Sequence, residues 1–270
     1  MWVLFFIKIM IYNETLRKEK ETIITKDGSI TLYSKEFNES YHSPKDGALH
    51  ESLQKHVLPA FDFHQDTVAT QLTILDICYG LGYNTLATLY YVKKNNLDIK
   101  LHIISPEFDA ALVHSLKDFD YPSEFDDFRS IIEAISENFY YEDEQFKIEV
   151  LIGDARQIVP SLHEDDIQFN IIYQDAFSPK VNPLLWTYEW FADIKRLCGN
   201  AIVLTTYSTA TVTRMGLHEN NFVLHYFEAP HTRRSLIASL QRIESLEWID
   251  MMLKIERNPN GRSLRDDEIQ

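Results

Sequence analysis

Residues able to do chemistry recur at the ends of short apolar runs. In Asp76-Ile77-Cys78-Tyr79-Gly80-Leu81-Gly82-Tyr83-Asn84, two glycines stand where such a run stops and a helical pattern begins. Glycine lets the backbone approach a ligand closely, and open α/β sheets bind ligands beyond the carboxyl ends of their strands. Glu107 follows the next run, where a carboxylate can accept both hydroxyls of a ribose. Asp154, in Gly153-Asp154-Ala155-Arg156, follows a third and can accept from an adenine amino group. Each alone also reads as a tight turn, a helix cap or a solvated carboxylate. In this order after successive runs they read as a nucleoside site. No GxxxxGK[ST] is present, which removes the P-loop option. A nucleoside site without a phosphate cradle suits S-adenosylmethionine better than a dinucleotide.

Asp175-Ala176-Phe177-Ser178-Pro179 follows a fourth run. A carboxylate, an aromatic ring and a proline at this point suit methylation of an amine. A primary amine must lose its proton before its lone pair can attack a sulfonium methyl group. A carboxylate can hold the neutral amine in line, and orientation then supplies much of the rate because the donor is already activated. Asp175 also reads as a helix N-cap.

Alternating elements have to position these residues. Apolar runs at 72–77, 101–104, 148–152, 170–173 and 201–206 alternate with helical patterns, which implies a parallel sheet covered on both faces. The first such helix shows Leu86, Leu89, Tyr90 and Lys93 on one side. Runs at 222–227 and 235–240 lie too close for a crossover helix and are expected to pair as an antiparallel hairpin. The layout is that of a class I methyltransferase: Rossmann-like, α/β, with a mostly parallel seven-stranded sheet. Upstream, two β-rich runs flank Asp27-Gly28, a hairpin signal. Ser43, Pro44 and Asp46 read as an N-cap, a first helical proline and an acidic first turn, with Leu49, Leu53 and Val57 on one face. The expected organisation is an N-terminal strand and hairpin extension over 1–36, the methyltransferase domain over 37–240 and a charged, fraying tail over 241–270.

Composition excludes several classes. The chain has 270 residues, 45% hydrophobic and 25% charged, with a net charge of -15. That charge argues against a protein that binds nucleic acid with its whole surface, though a local basic patch can act through its own field. With only Cys78 and Cys198, no disulfide framework is expected, and a cytoplasmic setting is the simplest reading. No run approaches the ~20 apolar residues of a membrane span. Residues 1–10 are apolar but interrupted by Lys8, and read as a strand or an early start rather than a signal peptide. The ten histidines form no HExxH pair, so no metal site is expected.

DAFSPKVNPLLWTYEWFADIKRL, from Asp175 to Leu197, resembles the DxFxPxxNPxxWT signature of the tRNA wobble-uridine 5-aminomethyl methyltransferases. These occur as stand-alone proteins or as the N-terminal half of a bifunctional enzyme. FNESYHSPKDGALHESLQKHV resembles their upstream FNE-YHS-x-x-GA-x-ES-x-HV block, and DICYGLGYNTL their glycine loop. GDAR and the RR-S-L end strand also match, so the resemblance runs from about Phe37 to Leu240. It implies methyl transfer from S-adenosylmethionine to 5-aminomethyl(-2-thio)uridine at the wobble position of tRNA. It implies that Gly80, Gly82 and Asn84 lie against the methionine part, with Glu107 on the ribose and Asp154 on the adenine. Asp175 would face the amine, with Phe177, Pro179 and Trp186 shaping the uracil pocket. Tyr41, His42 and Ser43 would close over cofactor or substrate. Cys78 stands where the family has its first loop glycine, so a positive φ there would strain its Cβ. The chain is too short for the oxidoreductase half of the bifunctional form, so the enzyme that makes the aminomethyl group is expected to be separate, or unnecessary.

Tight clustering of Trp186, Tyr188, Trp190 and Phe191 at helical spacing also fits plain core. RNA contact calls for cations near the pocket. Lys180, Arg214, Arg233 and Arg234 are candidates, followed by Lys45 and Arg156. Two rivals remain: an aminopropyltransferase-like or small-amine enzyme on the same sheet, and a non-catalytic module that kept the fold and lost the cofactor.

Overall fold

A computed structural model describes residues 20–65 and 70–269. The apolar start at 1–10 lies outside them. The hairpin forms as expected: β1 (Lys20–Ile24) pairs antiparallel with β2 (Ile30–Ser34), and a short β3 (Glu39–Ser40) adds to β2. Asp27 at the turn accepts from the backbone N–H of Ser29 and from its hydroxyl.

The following helix starts one turn later than expected. Ser43 Oγ does accept from the N–H of Asp46, but this closes a turn, and α1 (Ala48–Ser52) begins after Gly47. Gly47 sits at φ 95°, and a Cβ there would lie 2.2 Å from the Asp27 carboxyl carbon. That closeness is functional for the helix. Asp27 accepts from His50 N and Ser29 Oγ from Ala48 N, so the hairpin turn caps α1 from outside. A π-helical turn (Leu53–Val57) follows, then α2 (Leu58–His64).

The main sheet has nine strands among the described residues, in the order β12-β10-β11-β9-β8-β4-β5-β7-β6. β4 (Gln71–Ile77), β5 (Lys100–Glu107), β7 (Phe146–Ile152), β8 (Phe169–Gln174) and β9 (Cys198–Thr206) are the parallel strands. β10 (Val223–Phe227) and β11 (Ser235–Ser239) form the closing antiparallel hairpin. The expected seven are joined by two short edge strands, β6 (Tyr140–Glu142) and β12 (Glu247–Trp248). Chain order runs outward from β4 through β5 to β7, then returns to β8 on the other side. The reversal between β4 and β8 opens the crevice in which such sheets bind ligands.

Side chains alternate between two cores. Leu72 and Ile74 join the core under α1, α2 and α3 (Tyr83–Lys94), while Leu75 and Ile77 join the other. Leu86 and Leu89 of α3 point inward as expected, but Val92 rather than Lys93 extends that face. The second core is built from α6 (Ala155–Ser161), α7 (Tyr188–Arg196), α8 (Thr211–Glu219) and α9 (Met251–Arg257), with α4 (Ala110–Ser115) and α5 (Arg129–Asn138) nearer the first.

The tail does not fray. Beyond α9, the chain bridges to Thr187 through Leu264, whose carbonyl accepts from Tyr188 N. Arg265 reaches Glu219 at 2.6 Å, Ser263 is buried against the same carboxylate, and Arg156 pairs with Asp266. Arg265 and Asp266 are therefore partnered rather than solvated. Losing the Arg156 pair by Asp266→Ala should cost about 1 kcal/mol, roughly 2 °C in a calorimetric melt. The same change should make the segment after α9 the first site cut in limited proteolysis.

Candidate active site

Most of the sequence-selected residues line one open cleft of about 1310 Å³ beyond the carboxyl ends of β4, β5, β7 and β8; Gly82, Trp186, Arg214 and Lys45 do not. The parallel register explains the convergence. Asp76 lies opposite Tyr173 and Ile77 opposite Gln174, so Asp175 emerges beside the glycine loop.

The loop is built on left-handed backbone. Cys78, Gly80 and Gly82 have φ of 67°, 54° and 72°. The strain expected at Cys78 is thus present. Gly82 cannot take a side chain, because a Cβ would sit 2.7 Å from the Tyr79 hydroxyl. Gly80 N donates to Glu107 Oε2 at 2.8 Å, and Asp109 N donates to Oε1 at 2.8 Å. Two backbone amides aim the carboxylate, yet burial outweighs them and raises its pKa. Asp109 also caps α4 and pairs with Lys20 of β1 at 2.6 Å, which ties the hairpin to this side of the cleft. Asp154 caps α6 through Arg156 N while still lining the cleft. One residue thus combines the cap with a place in the cleft wall.

At the centre, Asn84 Nδ2 donates to Asp175 Oδ2 at 2.9 Å and lies 3.4 Å from Asp76 Oδ1. Thr85 donates to the other Asp76 oxygen. Burial pushes Asp76 up to about 7, opposed by the Thr85 bond and assisted by the nearby Asp175 charge. Burial pushes Asp175 the same way, but His56, His42 and the Asn84 bond overcome it and hold Asp175 below the usual carboxylate range. Of the two carboxyls, Asp175 is the stronger acid.

On the far side, Phe177 stacks on Phe37 at 4.6 Å, and Tyr41 meets Phe177 edge-on at 5.0 Å. Glu39 accepts from Ser178 N, and Tyr207 donates to Ala176 O, so the loop after Asp175 is pinned from two directions. Ser43 N donates to Glu51, whose other oxygen takes buried Lys55 at 2.7 Å; Lys55 also pairs with Asp46. His42 is buried over Tyr83, and burial lowers its pKa.

Trp186 requires a correction. It is 0% exposed, and its indole N–H donates to Phe177 O at 2.7 Å. It supports the pocket wall from within the core instead of touching a ligand, because two bulky neighbours, Phe191 and Tyr207, enclose its ring. The basic rim is smaller than expected. Lys180 and Arg233 are exposed and line the mouth. Arg234 is paired with Glu228, Arg214 is tied to Thr209 O, and Arg156 is held by Asp266. Lys45 is exposed but lies off the cleft lining.

His56, Phe37, Glu39, Tyr207 and Leu264 belong to the site without having been singled out individually. Phe37, Glu39 and His56 sit inside the FNE and HV blocks, which were the available signal. Leu264 is brought in by the docked tail, and nothing local marks it.

The residues fit S-adenosylmethionine. Asn84 Oδ1 is buried with no hydrogen-bond partner among the described residues, and Asn84 lines the cleft, where an ammonium group could donate to it. Glu107 and Asp154 offer acceptors to a ribose and an amino group. Among the described residues no three His, Cys, Asp or Glu form a metal-binding group, and no helix is long and apolar enough to cross a membrane.

Comparison with known proteins agrees with this geometry. A family model described as S-adenosyl-L-methionine-dependent methyltransferase matches residues 126–241. The crystal structure of MnmC2 from Aquifex aeolicus superposes with a TM-score of 0.78 and 28% identity, over 92% of this chain and 79% of that one. An uncharacterised protein, MJ0670 of Methanocaldococcus jannaschii, is 29% identical over 82% of this chain and 59% of its own length. The tRNA 5-methylaminomethyl-2-thiouridine biosynthesis bifunctional protein MnmC of Psychrobacter cryohalolentis is 24% identical over 82% of this chain and 35% of its own. The chain therefore spans about three fifths and one third of these two curated relatives.

Two outcomes follow for the loop and the acid beside it. A Cβ in the left-handed region costs about 1–2 kcal/mol, and glycine returns about 0.5–1 kcal/mol of that through the unfolded chain. Cys78→Gly should therefore raise stability by up to about 1 kcal/mol without weakening S-adenosylhomocysteine binding by calorimetry. Asp76 has a folded pKa of about 7 against an ordinary 3.8, so the folded chain keeps a proton that the unfolded chain releases. Its contribution is full below the lower value and lost as pH rises through the upper one. Asp76→Asn removes that loss, so its melting temperature relative to the parent should climb between about pH 5 and about pH 8.

Proposed function

We propose, from the premise that this chain belongs to the S-adenosyl-L-methionine-dependent methyltransferases, that it methylates the primary amine of 5-aminomethyl(-2-thio)uridine at the wobble position of tRNA. The product is 5-methylaminomethyl(-2-thio)uridine. The observation that carries this reading is the position of Asp175, between the glycine loop on one side and the Phe37–Phe177–Tyr41 wall on the other, with His56 and Asn84 against its two oxygens.

S-Adenosylmethionine supplies an activated methyl group on a sulfonium. The chain's residues have three tasks around it. Glu107, Asp154, Asn84 and the left-handed loop bind and orient the cofactor. The aromatic wall offers a flat apolar face to a pyrimidine. Asp175 accepts an N–H of the neutral amine, which aims the lone pair. Nitrogen becomes cationic as it gains the methyl group, and a fixed carboxylate beside it stabilises that charge where it develops. Trp186 serves by holding the Phe177 carbonyl.

A free polyamine suits the cleft less well, because the acids nearest the aromatic wall are already engaged: Glu51 by Lys55 and Ser43 N, and one oxygen each of Asp46 by Lys55 and of Glu39 by Ser178 N. A non-catalytic module would not need an amine-facing carboxylate kept charged. Coupling to a separate enzyme that makes the aminomethyl group is part of the proposal, as the bifunctional naming of the MnmC relatives suggests.

Incubation with S-adenosylmethionine and tRNA from a strain lacking this methylation, followed by nucleoside mass spectrometry, should yield 5-methylaminomethyl uridine. Asp175→Asn should lower kcat by about 100-fold or more while S-adenosylhomocysteine affinity changes little. Equal losses in both would move Asp175 to the binding shell. With Lys180 and Arg233 as the main rim cations, tRNA affinity should fall with salt at a shallow slope, corresponding to about two to three neutralised phosphates. A flat titration would remove RNA contact from the mouth.

A further inference from the structure

We infer that His56 is a positioning residue for this reaction, holding the Asp175 carboxylate in the orientation and charge state that meet the substrate amine; the assignment rests on the function proposed above. His56 lies in the π-helical turn and is fully buried. Its Nδ1 is 2.9 Å from Thr205 Oγ1 on β9, and its Nε2 is 3.3 Å from Asp175 Oδ1. The ring stands edge-on to Tyr173 at 5.6 Å.

The backbone explains how it gets there. Lys55, His56 and Val57 are all buried in succession. The turn is π-helical, with more residues per turn than a regular helix, and it lies between α1 and α2 against β9. Such turns are rare and recur at functional sites. Here the irregular turn delivers Lys55 to the Glu51–Asp46 pair and His56 to Asp175.

The Thr205 hydroxyl can donate to Nδ1, which leaves the imidazole proton on Nε2, facing the carboxylate. Asn84 holds Oδ2, and His56 Nε2 faces Oδ1 at 3.3 Å. Nε2 makes no hydrogen bond among the described residues, so its one polar neighbour is this carboxylate, at a loose distance. Catalytic hydrogen bonds are often long before substrate arrives and shorten afterwards.

Several groups face Asp175 from the elements around it. Asp76 comes from β4, Cys78 from the loop, His42 from the segment after β3, Glu51 from α1 and Tyr207 from the segment after β9. Of these, His42 favours the charged carboxylate, as His56 does, and the remainder do not. His56 is the one in direct reach.

His56→Ala, His56→Gln and the parent enzyme would be compared for kcat, KM for tRNA, S-adenosylhomocysteine affinity and melting temperature. The pH profile of kcat/KM would be recorded as well. His56→Ala should lose about 30-fold or more in kcat with KM and cofactor affinity within about threefold. Its acid limb should move to higher pH, because Asp175 loses its nearest favourable partner. His56→Gln, which keeps an N–H donor, should recover part of the rate. A kcat loss matched by equal losses in cofactor affinity and melting temperature, or an unmoved acid limb, would reduce His56 to core packing. A carbon-13 titration of Asp175, assigned with Asp175→Asn, reads the same shift without any substrate. If the parent enzyme fails to methylate tRNA, the proposed function falls, while this titration still decides whether His56 governs Asp175.

Discussion

A carboxylate that must stay charged inside protein is the constraint on which this structure turns. Burial acts against the negative form of Asp175, and a second carboxyl, Asp76, stands near enough to oppose it further. Isolated buried charges are costly, so the surroundings have to supply compensation. His56 and His42 supply most of it for Asp175, and Asn84 adds one amide nitrogen directed towards both acids. Asp175 is left the stronger acid of the two, with Asp76 raised to about 7. Environment separates two residues of the same type, a recurrent way of assigning roles to paired acids.

Much of the remaining architecture can be read as support for that centre. The reversal of strand order brings β4 and β8 together and opens the crevice. The loop from Cys78 to Gly82 takes left-handed backbone, and its Gly80 amide holds Glu107. The N-terminal hairpin contributes from outside the sheet. It caps α1 through Asp27 and Ser29, and reaches Asp109 through Lys20. It is thus a structural partner of the cleft instead of an appendage. The buried Trp186 and the docked tail do the same for the opposite wall.

Each of these supports combines a local preference with a distant contact. Gly47 illustrates the point. Its glycine character is explained by the Asp27 carboxylate, which is twenty residues away in the chain and almost in contact in space. Cys78 illustrates the opposite case, where a position that favours glycine carries a side chain and the strain is retained.

Periodicity, glycine placement and the order of acids after apolar runs made the sheet, its antiparallel end and the line of Gly80, Gly82, Glu107, Asp154 and Asp175 legible from sequence alone. These features are local or repeat with a fixed period, so a linear reading captures them. The delayed start of α1, the π turn, the two edge strands and the ordered tail were not legible, because each depends on partners far along the chain. Trp186 shows the limit well. Its block marked it as important, but only packing decided that it would face Phe177 O from the core and not a base from the cleft. His56 shows the converse: an ordinary helical position in sequence, it meets Asp175 only because a widened turn and the β8–β9 pair place the two together. The chemistry was written in residue types, and which of them touch was settled by the fold, since contact between distant residues is a property of tertiary packing and leaves no local trace.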